Sequence, residues 1–215
     1  MSFLNQLKSQ ANALQSQRSQ QDVLLEDNIQ HVELACRQVL AYLQDLARQL
    51  NVIEPPSAPF TLDGKTPWPA MKLRDFRTDF RRKQLRDREV FDYLGMGWQA
   101  IPQMGRAVGG LVTVNFPPDQ QRVESRIALG MVKHERKESR HPEKNTLLAI
   151  RYEYQTETRG NVTVSADHEK GMLNFRLVNT DGFEVQNVPW PAAKITTALL
   201  DELAKRIVGQ PSKFV

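Results

Sequence analysis

Residues 121–188 read QRVESRIALGMVKHERKESRHPEKNTLLAIRYEYQTETRGNVTVSADHEKGMLNFRLVNTDGFEVQNV, and their spacing decides the fold. Leu148, Ile150, Tyr152 and Tyr154 alternate with Ala149, Arg151 and Glu153, a two-residue period rich in the types that suit a pleated surface. A half-buried strand is expected ahead of it, where Val123, Ser125, Ile127, Leu129 and Met131 alternate with Glu124, Arg126 and Ala128. The charged residues 133–144 between the two read as a connection. Downstream, Arg159-Gly160-Asn161 reads as a tight turn into Val162-Thr163-Val164. Glu169-Lys170-Gly171 turns into Leu173, Phe175 and Leu177, and Thr180-Asp181-Gly182 turns into Phe183 and Val185. Links this short make neighbours antiparallel, so the stretch predicts a meander with one wet face and one face that needs a cover.

Helices at the two ends are expected to supply that cover. The first fifty residues contain no proline or glycine, and their apolar residues step by three and four. Leu4, Leu7, Ala11 and Leu14 form one series. Leu25, Ile29, Val32, Cys36, Val39, Leu43, Leu46, Leu50 and Ile53 form another. Residues 1–53 therefore read as one long amphipathic helix or a helical hairpin. Arg18 and Gln21 occupy the seam between the two series, which suggests a bend at 19–22 with Asp22 capping a second helix. The seam of Leu25, Ile29, Val32, Val39, Leu43, Leu46 and Leu50 suits pairing with a second copy or another helical protein. Leu24, Leu34, Leu40 and Ala47 widen the stripe beyond a dimer's needs, as a helix covering its own sheet would require. Cys36 lies on the seam, so burial is expected rather than reactivity.

Pro55-Pro56, Pro59, Asp63-Gly64, Pro67 and Pro69 make residues 54–70 a linker ahead of a sheet domain over 71–215. Residues 91–98 and 111–116 read as strands. Residues 71–88 fit either period, because Leu73, Phe76 and Phe80 are spaced for a helix while Phe76, Thr78 and Phe80 alternate as in a strand. Pro67-Trp68-Pro69-Ala70-Met71-Lys72-Leu73 is nearly repeated as Pro189-Trp190-Pro191-Ala192-Ala193-Lys194-Ile195, and both copies read as a device that opens a helix. After the second copy, Ile195, Leu199, Leu200, Leu203 and Ile207 make an apolar helical face ended by Gly209. The expected class is α+β: a long N-terminal helix, an antiparallel meander of about six strands, and a C-terminal helix packed on one face.

Composition narrows the function. Ordinary hydrophobic and charged fractions exclude a disordered protein, and no apolar run is long enough to insert in a membrane. Ser2-Phe3-Leu4-Asn5-Gln6 lacks the features of a secretion signal and Cys36 is the only cysteine, so a cytoplasmic location is expected. His31, His134, His141 and His168 stand in no metal-site spacing. Asp167-His168-Glu169 resembles an acid/base cluster but reads as a solvated hairpin tip, and no nucleophile motif accompanies it. The glycines Gly95, Gly97, Gly105, Gly109 and Gly110 are not followed by the Gly-Lys-Ser/Thr of a phosphate loop. Charge is concentrated at residues 72–88, where eight basic residues face three acids in a chain of net charge +4. The expected function is a non-catalytic interaction or scaffold protein that assembles through its N-terminal seam, without cofactor or metal. The alternative is nucleic-acid binding through Arg77, Arg81, Arg82, Lys83 and Arg86, whose phosphate contacts Phe76 and Phe80 would supplement by stacking. An enzyme built on an enclosed pocket comes third.

Overall fold

The computed structural model describes residues 3–215, apart from the side chains of Leu4 and Ser19. The expectations attached to Ser2 and to Leu4 lie outside what it describes. Helix α1 (Phe3–Ile53) runs unbroken for 51 residues, as a stretch without proline or glycine permits. It ends at Glu54, whose left-handed backbone (φ 43°) lets its N–H close on Leu50 O at 2.9 Å before Pro55-Pro56 forbids continuation. There is no bend at 19–22. Asp22 sits inside the helix, and its carboxylate meets Arg86 at 3.1 Å instead of capping. Arg18 and Gln21 are exposed, so the seam carries them without cost.

The strands are β1 (Met71–Leu85), β2 (Arg88–Pro102), β3 (Gly109–Val114), β4 (His134–Arg140), β5 (Leu147–Gln155), β6 (Thr158–Asp167), β7 (Met172–Val178) and β8 (Val185–Pro191). They form two antiparallel sheets, a five-stranded one of meander-like order and a separate three-stranded one. The larger has the order β1-β2-β6-β7-β8 and the smaller β3-β5-β4. Helix α2 (Pro117–Gly130) lies between β3 and β4, and α3 (Thr197–Ile207) closes the chain. An α+β class with a long N-terminal helix and a C-terminal helix is what the sequence predicts.

Several local expectations change. Residues 123–130 lie in helix α2, not in a strand. Val123, Ile127 and Gly130 are buried at steps of four and three while Ser125 and Met131 are exposed. Pro117 and Pro118 occupy the first helical positions and Met131 (φ 50°) terminates it in the left-handed region. Val123 and Ile127 satisfy both periods, and the proline pair decides between them. The charged residues 133–144 hold strand β4, whose every side chain is exposed; with no buried face it has no alternation to read. Arg159-Gly160-Asn161 is not a turn, because β6 runs straight through it. Strands β5 and β6 are consecutive but belong to different sheets.

The ambiguous residues 71–88 are β1 and its hairpin turn into β2. A bulge explains their helix-like spacing. Between Arg74 and Arg77 the register slips, Asp75 takes φ 54°, and one extra residue lets Leu73 and Phe76 point inward three positions apart. Asn51 of α1 holds the bulge, accepting from Phe76 N–H at 2.7 Å and donating to Phe76 O at 2.9 Å. The tryptophan repeats serve different ends. Trp68 is buried ahead of a strand, against Phe60, Tyr154 and Phe183. Trp190 lies next to the end of β8, and α3 begins only after a single 3-10 turn, with Thr196 Oγ1 accepting from Leu199 N–H at 3.3 Å.

One contiguous core joins these layers. Val32, Val39, Leu43 and Leu50 of α1 and Leu200, Leu203 and Ile207 of α3 pack with Leu94, Met96, Val162, Val164, Leu173 and Phe175 of the larger sheet. Val112, Ile150, Tyr152 and Tyr154 bring the smaller sheet and α2 into the same cluster.

Candidate functional site

Helix α1 changes character along its length. From Ile29 to Leu50 the apolar seam is sealed: Ile29, Val32, Val39, Leu43 and Leu50 are buried and Leu46 half-buried, with Leu25 half-buried ahead of them and Ile53 exposed beyond. This part of the seam covers the protein's own sheet. Cys36 is buried with it, and burial together with the neighbouring Glu33 charge pushes its thiol up to about 12, out of reach of ordinary reactivity. The N-terminal turns stand clear of the body. Phe3 is 74% exposed, Leu7 45%, Leu14 56% and Leu24 61%.

Glu33 marks where the covering half is locked down. Its Oε1 accepts the Phe91 N–H at 2.7 Å and faces His168 Nε2 at 3.2 Å, while Oε2 meets Arg82 at 3.2 Å. The Arg82 guanidinium also lies 4.7 Å from the centre of the Phe91 ring. His168 is thus buried beneath α1, where the sequence suggests a solvated tip, because the end of β6 meets the helix there. Glu33 carries no signal of its own in the sequence. It reads as one more polar position beside the seam, and only its contacts reveal it. With its oxygens taken by three structural donors, the carboxylate ties the helix to two strands and offers no base to a substrate.

The basic residues of the hairpin separate into two groups. Arg82 pairs with Glu33 and with Glu89 at 3.6 Å, Lys83 with Asp92 at 3.1 Å, and Arg86 with Asp22 at 3.1 Å. Arg88 grips Glu26 through two bonds of 2.7 and 2.9 Å, which holds the Glu26 carboxyl below its usual range. Arg82, Arg86 and Arg88 bind the hairpin to α1, while Lys83 ties its two strands together. Arg77 and Arg81 are exposed and bond to no other side chain among the described residues. Phe76 is core, stacked on Trp98, and Phe80 tilts against Phe91, so neither ring stands beside Arg77 and Arg81 as a stacking platform.

Among the described residues no group of three or more His, Cys, Asp or Glu side chains is arranged to hold a metal, and no helix is long and apolar enough to cross a membrane. Compared with known proteins, the chain matches no family model, no curated protein sequence and no solved structure.

Proposed function

We propose that this is a non-catalytic protein that assembles through the free N-terminal half of α1, its occupant being the same segment of a second copy. The observation that carries this reading is the contrast within one helix: the seam is buried on its own sheet from Ile29 to Leu50 and bare from Phe3 to Leu24. Twenty residues of helix extend about 30 Å at 1.5 Å per residue. A lone helix of that length is marginal in water without packing. Residues 3–24 carry Lys8, Arg18 and Asp22 as their only charges, among many Gln, Ser and Asn. Two such arms bring little charge together, Arg18 being the one cation on the seam, and lack the charge code that would select a different partner. The assembly seam therefore shifts from Leu25–Leu50 to Phe3, Leu7, Ala11 and Leu14.

The full-length chain is expected to run as a dimer in light scattering, and a chain beginning at Val23 as a monomer of unchanged thermal stability. Leu7→Asp with Leu14→Asp should dissociate the full-length chain in the same way. A monomeric full-length protein at high concentration rules the reading out, as does a truncated chain that still dimerises.

A further inference from the structure

We infer that the outer face of the five-stranded sheet, turned away from α1, binds single-stranded nucleic acid. This is independent of the assembly reading; it keeps Arg77 and Arg81 of the hairpin site that residue composition suggests and replaces Arg82, Lys83 and Arg86 by Arg159 and Arg176. Register and alternating burial place Arg77, Asp79 and Arg81 of β1, Tyr93, Gly95, Gly97 and Gln99 of β2, and Arg159, Asn161, Thr163 and Ser165 of β6 on that face. Asn174 and Arg176 of β7 continue it.

Arg77, Arg81, Arg159 and Arg176 are exposed there and bond to no other side chain among the described residues. They surround a floor of small and neutral polar groups. Asp79 is the acid within it, and its oxygens accept the Phe80 N–H at 2.8 Å and the Tyr93 hydroxyl at 3.3 Å. At one end lies a depression of about 350 Å³ lined by Arg77, Gly97, Met131, Arg159 and Asn161, and by a second acid, Asp75, which is paired with Arg74 at 3.4 Å.

Gly97 is the telling residue. Its neighbours in the sheet are glycines for packing reasons: a Cβ on Gly95 would lie 2.5 Å from Val162 O, and one on Gly160 would lie 2.5 Å from the Trp98 ring. A Cβ on Gly97 meets nothing closer than Gly160 O at 3.8 Å, and its backbone is not in the left-handed region. Glycine weakens a strand interior, and here neither space nor conformation requires it. What its absent side chain does is lower the floor between two unpaired arginines, where a flat base or a phosphate can approach the backbone.

Geometry selects a single strand over a duplex. Five strands at about 4.8 Å spacing make a face about 19 Å wide, too broad for a major groove of about 12 Å. Arg77 and Arg81 stand about 13 Å apart along β1, with Arg159 two strands across and two residues along from Arg77, about 12 Å away. An unpaired chain can lie between them, its phosphates on the arginines and its bases over Gly97, Asn161 and Thr163.

The test is fluorescence anisotropy of the full chain with a labelled homopyrimidine oligonucleotide, a duplex of equal length, and phosphatidylserine vesicles. The single strand should bind at low salt and weaken with a logarithmic salt slope of about 3, since each neutralised phosphate on a single strand contributes about 0.7. Arg77→Ala with Arg159→Ala should lower that slope by about 1.4. Gly97→Val keeps the charge, suits a strand and should retain the thermal transition, yet should weaken binding at least about tenfold by raising the floor. Alanines at Lys83 and Arg86 should leave binding unchanged. The inference is overturned by no binding at low salt, by preference for duplex or vesicles, or by a Gly97→Val protein that is folded and binds normally.

Discussion

Asp63 shows how one side chain can shape a segment that proline content alone describes as a linker. Its Oδ1 accepts the Thr66 N–H at 2.7 Å and the Lys65 N–H at 2.8 Å, and the hydroxyls of Thr66 and Thr61 add two more bonds. Burial opposes its charge, but these donors outweigh burial and pull the carboxyl down to about 2. The loop so formed presents carbonyls of Thr61 and Leu62 to Arg126 of α2 at 3.0 and 3.1 Å, seating Leu62 and Trp68 in the core. Because the folded value lies below that of an unfolded aspartate, the stabilisation is present above about pH 4 and is lost as pH falls toward 2. Asp63→Ala should cost about 1–2 kcal/mol at neutral pH, a figure reduced for partial exposure. Urea denaturation should show the difference vanishing near pH 2; one that persisted there would mean that the carboxylate charge is not what holds the loop. Glu33→Ala is more severe. It leaves the Phe91 N–H and His168 without their acceptor and should cost roughly 2–4 kcal/mol, whereas Glu33→Gln retains an acceptor and should cost less.

At the level of elements, the informative features are places where one pattern imitates another. The β1 bulge turns a strand's two-residue step into a helix-like three, and only the slipped register distinguishes them. Asn51 is the sole described side chain that bonds both backbone groups of Phe76. Asn51→Ala should therefore cost about 1–2 kcal/mol, and amide hydrogen exchange at Phe76 should quicken more than at Leu94 in the centre of β2. Equal protection in both proteins would show that the bulge holds without it. Strand β4 illustrates a different limit. Its residues His134 to Arg140 form an edge guarded by charge, with Lys137 bonded to Glu153 at 2.8 Å and Arg140 to Glu138 at 2.7 Å. Such a strand exists through pairing with β5 and not through its own composition.

For the molecule as a whole, α1 belongs to two environments at once. Substitutions distinguish them: Leu43→Asp places a charge at a fully buried position and should unfold the protein. Leu14→Asp lies on the free half and should change association while leaving the thermal transition in place. Similar effects from both would mean that the two halves of the helix are not energetically distinct.

The apolar rhythm of residues 25–53, the alternations of 148–154 and 162–164, and the face of α3 were legible in the chain because each is a local period set by how helices and strands turn side chains toward a core. The same periodicity located the basic segment 72–88, since charge density needs no tertiary contact to be counted. Three things were settled only by folding. The strands divide into two sheets, because β5 and β6 find different neighbours across long stretches of chain. Three of the eight basic residues, Arg82, Arg86 and Arg88, are consumed by α1, because Glu33, Asp22 and Glu26 come from a helix far away in sequence. Gly97 is left open between Arg77 and Arg159 because strands β1, β2 and β6 lie side by side, and adjacency of that kind depends on long-range pairing that no local spacing encodes.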